Sequence, residues 1–203
     1  MGAWHDGQPR LRNVLPNIEP ARDKYLSRLF GLFSEQVVRI WCACPQSPYA
    51  DLGRPTLYIP GIKRGHTIDF TLRNRDTGKT YVAELKCELE YENYKYLRLT
   101  HPGQLRHHTS IAFAKLLQVA TNPTALDIRC KGQPISVDGA ILVWGASTSD
   151  GRNSVMAEYG FADVLSLEAM LADLQAWVPN GWSEIADRHR RWTNELFDFL
   201  GET

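Results

Sequence analysis

The sequence has no surplus of charge. Lys plus Arg number 23, Asp plus Glu number 23, and the formal net charge over 203 residues is zero. That balance excludes a polybasic, histone-like scavenger of nucleic acid, so any grip on a polyanion has to come from a local patch. No run approaches the roughly 20 apolar residues of a bilayer span, and residues 1–12 lack the apolar stretch of a signal peptide. The expectation is a soluble, cytoplasmic protein with no membrane partner. Cysteine is scarce: Cys42, Cys44, Cys87 and Cys130. Cys42-Ala43-Cys44 is too tightly spaced for a zinc knuckle and has no second pair. Without a secretory signal a disulfide framework is not expected, and the four read as buried or incidental thiols. Internal repeats and low-complexity tracts are absent as well. With 43% apolar and 23% charged residues the chain is not a disordered one. Its length suits one domain at about 150 residues per domain.

Residues 1–20 hold Pro9, Pro16 and Pro20 and read as an irregular leader to a single domain over 21–203. Over 21–42, Leu26, Phe30, Phe33, Val37 and Trp41 recur every three or four positions, which predicts a helix closed by Pro45 and Pro48. A short strand is expected at 56–59. Residues 66–73 and 80–88 alternate on either side of Asn74-Arg75-Asp76-Thr77-Gly78-Lys79, a β-hairpin pattern. One face carries Ile68, Phe70 and Leu72 with Tyr81, Ala83, Leu85 and Cys87. The other carries Asp69 with Glu84 and Lys86. A loop centred between Asp76 and Thr77 places Asp69 directly across from Glu84.

A second helix is expected over 104–120, with Leu105, Ala112, Leu116 and Val119 inward. Ala140-Ile141-Leu142-Val143-Trp144 predicts a buried strand. A loop over 147–154 and an extended piece near Tyr159 then lead to two helices. One is capped by Ser166 and carries Met170, Leu171 and Leu174. The other is capped by Ser183 and carries Ile185, Trp192, Leu196 and Leu200.

Two carboxylates facing a lysine across a hairpin repel and lose water if covered. An isolated Glu-x-Lys is a common solvated charge ladder, but here it sits on an apolar-alternating strand with an aspartate in register. A divalent cation resolves the conflict. Mg²⁺ takes one or two carboxylates plus waters and phosphate oxygens, and the carbonyl of Leu85 offers a further oxygen. Lys86 is then placed to orient or deprotonate the attacking water, or to offset charge on the phosphate.

Thr67-Ile68-Asp69-Phe70 followed by Ala83-Glu84-Leu85-Lys86, with fifteen positions from Asp69 to Glu84, resembles the PD-(D/E)XK nuclease superfamily. No proline precedes Asp69, where the family motif has one. The resemblance covers about residues 21–145 and implies an α/β (α+β) fold of the restriction-endonuclease-like kind. Its core is a helix, a three-stranded meander, a helix and a strand in a mixed sheet, here followed by helical additions over about 146–203. It implies a Mg²⁺-dependent deoxyribonuclease of restriction-type, defence or repair class, with Mn²⁺ able to substitute. Asp69, Glu84 and Lys86 correspond to the family's catalytic set. Glu35, in Phe33-Ser34-Glu35-Gln36, is similar to the metal-linked glutamate of the first helix, and is otherwise a surface residue. Gln104 with His108 resembles a glutamine and aromatic pair of exonuclease-type members. On a helix these two and Lys115 line one edge, facing a cleft or simply flanking the helix.

Local cations supply the expected grip on DNA: Lys63 and Arg64 before the site strand, Arg73, Arg75 and Lys79 at the hairpin tip, and Lys95 and Arg98 among Tyr91, Tyr94 and Tyr96. His108 joins them. Modest local charge calls for a dimer or a partner protein subunit to aid recognition. His101, His107 and His108 lack the spacing and nearby acid of zinc hydrolases, so zinc is not expected. Two other readings of the same residues stand beside the nuclease: a catalytically silent DNA-binding or scaffold subunit, and an RNA-directed nuclease.

Overall fold

A computed structural model describes residues 19–90, 95–178 and 181–201. The leader as far as residue 18, with Tyr91 and Tyr94, lies outside them. In chain order the first half comprises α1 (Glu19–Ala43), β1 (Tyr49–Asp51), β2 (Pro55–Tyr58), β3 (His66–Thr67), β4 (Phe70–Asn74), β5 (Thr80–Leu85), β6 (Leu89–Glu90), β7 (Lys95–Tyr96) and β8 (Arg98–Leu99). A 3₁₀ turn (Pro102–Leu105) leads to α2 (Ile111–Thr121), β9 (Asp127–Cys130), β10 (Gln133–Pro134), β11 (Gly139–Trp144) and β12 (Ala146–Ser147). The chain ends with α3 (Ser149–Tyr159), β13 (Asp163–Ser166), α4 (Leu167–Trp177) and α5 (Gly181–Gly201).

The fold is mixed α/β, built on a five-stranded sheet of order β1-β4-β5-β11-β13. β1, β4 and β5 form its antiparallel part, with β1 at the edge because the strand expected at 56–59 (β2) joins a second sheet instead, and β11 and β13 continue it in parallel. Every residue of β11 is buried because both faces of the sheet are covered. On one face Phe70, Leu72, Ala83 and Leu85 pack with Val37, Val38 and Trp41 of α1 and Met170 and Leu174 of α4. On the other, Val82, Leu142 and Trp144 pack with Phe113, Leu116 and Val119 of α2 and with Leu57 and Ile128 of a smaller sheet, β10-β9-β2-β3. Each Val, Leu, Ile, Phe or Met among them, fully buried, stabilises the fold by about 1.5–3 kcal/mol.

The first site strand departs from the expected single run. Residues 66–73 split into β3, which belongs to the small sheet, and β4, which belongs to the central one. The Ile68 N–H bonds to the Pro55 carbonyl at 3.0 Å, and the Asp69 N–H is taken by the Glu84 carboxylate. The ladder is broken there, and Ile68 turns to the α2 side, opposite Phe70 and Leu72.

The expected helix over 104–120 is shorter. Ser110 caps α2 by accepting from the Phe113 N–H, so Gln104 and His108 precede the helix rather than ride on it. Phe113, not Ala112, is the fully buried residue of its first turn. The expected loop over 147–154 is mostly α3, capped by Thr148 and ended by Gly160 at φ 77°. Gly151 is required there, since a Cβ would run into the Leu99 carbonyl oxygen. The extended piece follows Tyr159 as β13, a fifth strand of the central sheet, so the tail is not helical throughout. Ser166 caps α4 as expected, whereas α5 starts ahead of Ser183, and its Trp192, Leu196 and Leu200 are exposed. All four cysteines are free, and burial pushes the Cys42 and Cys87 thiols up to about 12. Among the described residues no helix is long and apolar enough to cross a membrane.

Candidate active site at the end of the central hairpin

The turn that joins β4 to β5 is built by Asn74, whose side-chain oxygen accepts from the N–H groups of Asp76 and Thr77 at 3.0 and 2.8 Å. Gly78 completes it at φ 71°. This turn sets the register Phe70↔Ala83 and Leu72↔Tyr81. Continued by one residue past the end of β4, it puts Asp69 opposite Glu84.

Two backbone hydrogen bonds cross-link the pair. The Leu85 N–H donates to Asp69 Oδ2 at 2.9 Å, and the Asp69 N–H donates to Glu84 Oε2 at 3.3 Å. Lys86 Nζ donates to Glu84 Oε1 at 2.6 Å. Arg54 lies 3.4 Å from Asp69 Oδ1. Glu84 is only 6% exposed. Its carboxyl is held above the usual range, first by burial and then by the negative charge of Asp69, with Lys86 pulling the other way. Two carboxylates held by each other's backbone neighbourhood, with Glu84 also paired to Lys86 and Asp69 to Arg54, form a donor set suited to a hard divalent ion.

The other expected site residues are distributed around this core. Glu35 reaches Arg39 at 3.7 Å; Arg39 in turn meets Asp51 at 3.1 Å and covers the Phe70 ring at 5.2 Å. That network lies on the α1 face of the sheet, while Glu84, alternating with Ala83 and Leu85, points to the other. Gln104 is spent on its own turn: its Oε1 accepts from the Thr100 and His101 N–H groups at 2.7 and 3.1 Å, and its Nε2 donates to the Arg98 carbonyl at 3.0 Å. Lys115 donates to Gln118. His108 does join the Glu84 side. It packs edge-on against Phe113 at 5.4 Å and Trp144 at 5.8 Å, and Lys86 Nζ sits 6.0 Å from the same Phe113 ring.

Of the cations, Lys63 and Arg64 are exposed on the β2–β3 connection, and Lys95 is exposed on β7. Arg73 and Lys79 are exposed at the hairpin tip, at the opposite end of β5 from Glu84, four residues or about 13 Å along the strand. Arg75 donates to the Cys42 carbonyl at 2.9 Å, tying that tip to the end of α1. Arg98 pairs with Glu168.

Two residues were invisible to sequence reasoning. Arg54 reaches Asp69 because Pro55 pairs with Ile68. Glu88 meets His107 and His108, and ligand atoms of all three lie within 4.8 Å of one another. His101 stays out of that group and flanks the 3₁₀ turn. An apolar groove of about 550 Å³ between α1 and α5, lined by Leu26, Phe30 and Phe33 among others, contains none of the charged site residues.

Burial, and next the neighbouring His107, push the His108 imidazole down to about 4, against opposing help from Glu88; Lys86 adds to the depression. The folded state therefore holds His108 neutral where the unfolded chain protonates it. Stability present above the unfolded value of 6.5 is lost as pH falls from there towards about 4. In chelator, urea unfolding across that range is expected to show this slope in the wild type and a shallower one in His108→Gln. Equal slopes would contradict it.

No protein-family model, no curated protein and no solved structure matches the chain.

Proposed function

We propose that the chain is a metal-dependent nuclease hydrolysing phosphodiester bonds in DNA, on a restriction-endonuclease-like core. The observation that carries the reading is the set Asp69, Glu84 and Lys86, gathered by hairpin register at one end of the central strands. Support also comes from the element order around it, in which α1, the antiparallel strands β1, β4 and β5, α2 and the parallel strand β11 follow one another.

Asp69 and Glu84 would hold Mg²⁺, or Mn²⁺ in its place, and the chemistry that ion would supply is Lewis acidity toward the phosphate and a bound water. Asp69 is aimed by the Leu85 N–H and Arg54, and Glu84 by the Asp69 N–H. Lys86 Nζ, fixed beside Glu84, offers its protons to charge developing on the phosphate oxygens or orients the attacking water. Gln104 positions the turn that precedes His108. Glu35, engaged with Arg39 on the other face, is left out of the ligand set. Lys63, Arg64 and Lys95 supply phosphate contacts, with a second copy or a partner subunit completing the grip.

One observation favours a silent DNA-binding or scaffold subunit. The Lys86–Glu84 and Arg54–Asp69 pairs already offset the two carboxylates, which is what a charge ladder without chemistry requires. The two readings part on one experiment. Supercoiled plasmid, linear duplex, single-stranded DNA and RNA are incubated with the protein in Mg²⁺, Mn²⁺ or EDTA, beside Lys86→Ala. Metal-dependent DNA cutting absent from the variant is expected. Cutting of RNA alone selects the RNA-directed nuclease, and the absence of cutting together with DNA retention selects the silent subunit.

A further inference from the structure

We infer that Glu88, His107 and His108 form a second metal site, for a divalent transition ion of the Zn²⁺ type, independent of the carboxylate pair. Strand β5 ends three residues before Glu88, and the two histidines occupy the segment between the 3₁₀ turn and α2. The fold closes that nineteen-residue separation: His107 Nε2 hydrogen-bonds Glu88 Oε1 at 2.5 Å, and His108 Nε2 lies 3.8 Å from the same oxygen.

The His107–Glu88 hydrogen bond accounts for two of these groups and leaves the third unexplained. His108 Nε2 is buried with no hydrogen-bond partner, an arrangement native proteins seldom keep. The two imidazole rings stand 4.0 Å apart. At that distance the two rings can present a nitrogen each to one ion, imidazole being the commonest metal ligand.

The spacing suits an ion as well. Donors around tetrahedral Zn²⁺, with bonds of about 2.0–2.1 Å, lie about 3.4 Å apart. The observed 2.5 and 3.8 Å separations bracket that value. The third pair lies within 4.8 Å, so binding exchanges one hydrogen bond for three metal bonds through shifts of about 1.5 Å or less. Two imidazole nitrogens and one carboxylate favour Zn²⁺ over Mg²⁺, which prefers oxygen throughout. Three protein donors leave a fourth position for water, and the half-exposed His107 gives a route of entry. The bound ion fastens the exit of β5, two residues past Lys86, to the segment leading into α2.

The test uses the full chain, stripped of metal by a chelator that is then removed. Zn²⁺ uptake is followed by calorimetry, and Co²⁺ coordination by visible absorption, for the wild type, Glu88→Gln, His107→Asn and Asp69→Asn. One Zn²⁺ per chain is expected, with affinity reduced about 100-fold or more in Glu88→Gln and His107→Asn and unchanged in Asp69→Asn. Co²⁺ bound to the wild type should give the intense absorption of low coordination. Thermal melting without metal confirms that the variants fold, and the Glu88 and His107 side chains are 34% and 54% exposed. Absence of Zn²⁺ uptake, uptake that survives both substitutions, uptake lost with Asp69→Asn, or a weak six-coordinate Co²⁺ spectrum would each overturn the site. None of these readouts depends on nuclease activity, so failure here and failure of the nuclease proposal are separate results.

Discussion

Lys86→Ala is expected to reduce metal-dependent cleavage by about 10²–10⁴-fold, the range for removing a group that manages a proton in the transition state. The same substitution should destabilise the fold at neutral pH by about 1–3 kcal/mol, because it leaves a buried acceptor without its donor. The loss of stability follows from Glu84, which is 6% exposed and whose Oε1 accepts from Lys86 Nζ at 2.6 Å.

The pH dependence has a definite sign. Burial and Asp69 raise the Glu84 carboxyl above its ordinary 4.5 in the folded state. Below that value both states are protonated and the contribution of Glu84 is fully present. As pH climbs from 4.5 through the raised folded value, the unfolded chain gives up its proton first, and stability falls. Lys86→Ala extends this loss to higher pH. Glu84→Gln keeps one carbonyl acceptor, which serves Lys86 or the Asp69 N–H but not both, and cannot ionise, so it removes the loss and should unfold at higher urea than the wild type at neutral pH. Cleavage should vanish in Glu84→Gln and fall as stated in Lys86→Ala. Stability gained with activity lost is the expected signature of a group retained for chemistry. If Glu84→Gln were instead the less stable protein, Glu84 would be a structural partner of Lys86. The measurement is urea unfolding across the acid to neutral range for the wild type and both variants.

Trp144→Ala should produce the largest loss of stability in the core, about 3–5 kcal/mol. Trp144 ends β11, is fully buried, and donates from its indole Nε1 to the Leu97 carbonyl at 2.8 Å. For a chain of this length the loss corresponds to a fall in Tm of roughly 6–20 °C. Trp144→Phe separates the two contributions. It keeps most of the packing, leaves the Leu97 carbonyl without its donor, and should cost about 1–2 kcal/mol. The effect reaches the site, because the ring packs 5.8 Å from His108. A cavity there admits water to the imidazole, so Trp144→Ala should also weaken the acid slope that His108 imposes. Thermal and urea unfolding of the two variants measure the ladder. A Trp144→Ala protein as stable as Trp144→Phe would show that the surrounding core collapses into the space.

The features legible in the sequence are those written in neighbouring residues. A stripe at helical period marks α1, an unbroken apolar run marks β11, and Ser166 announces the start of α4. The hairpin turn sets the β4–β5 register by counting alone, which is enough to place Asp69 opposite Glu84. Turn chemistry and period-two alternation act over a handful of residues, so a single sequence displays them in full. Even here a tertiary bond intervenes: the Pro55 carbonyl captures the Ile68 N–H, and Ile68 crosses to the other face.

Only the folded chain decides the remainder, and most of the cases turn on a partner in another element. Gln104 is drawn into the backbone of residues 98–101, and Ser110 offers a better cap, so α2 starts late. α3 has a weak apolar stripe and becomes a helix through Thr148, Gly160 and its close approach to Leu99. β13 joins the sheet through parallel pairing with β11, which no local pattern records. Arg54 arrives at Asp69 from fifteen residues away, Glu35 is claimed by Arg39 on the opposite face, and Glu88 is carried to His107 and His108. Spacing along a chain describes neighbours within one element. Which ends of different elements meet is settled by sheet order and by the burial of both faces of the sheet, and these exist only once the chain has folded.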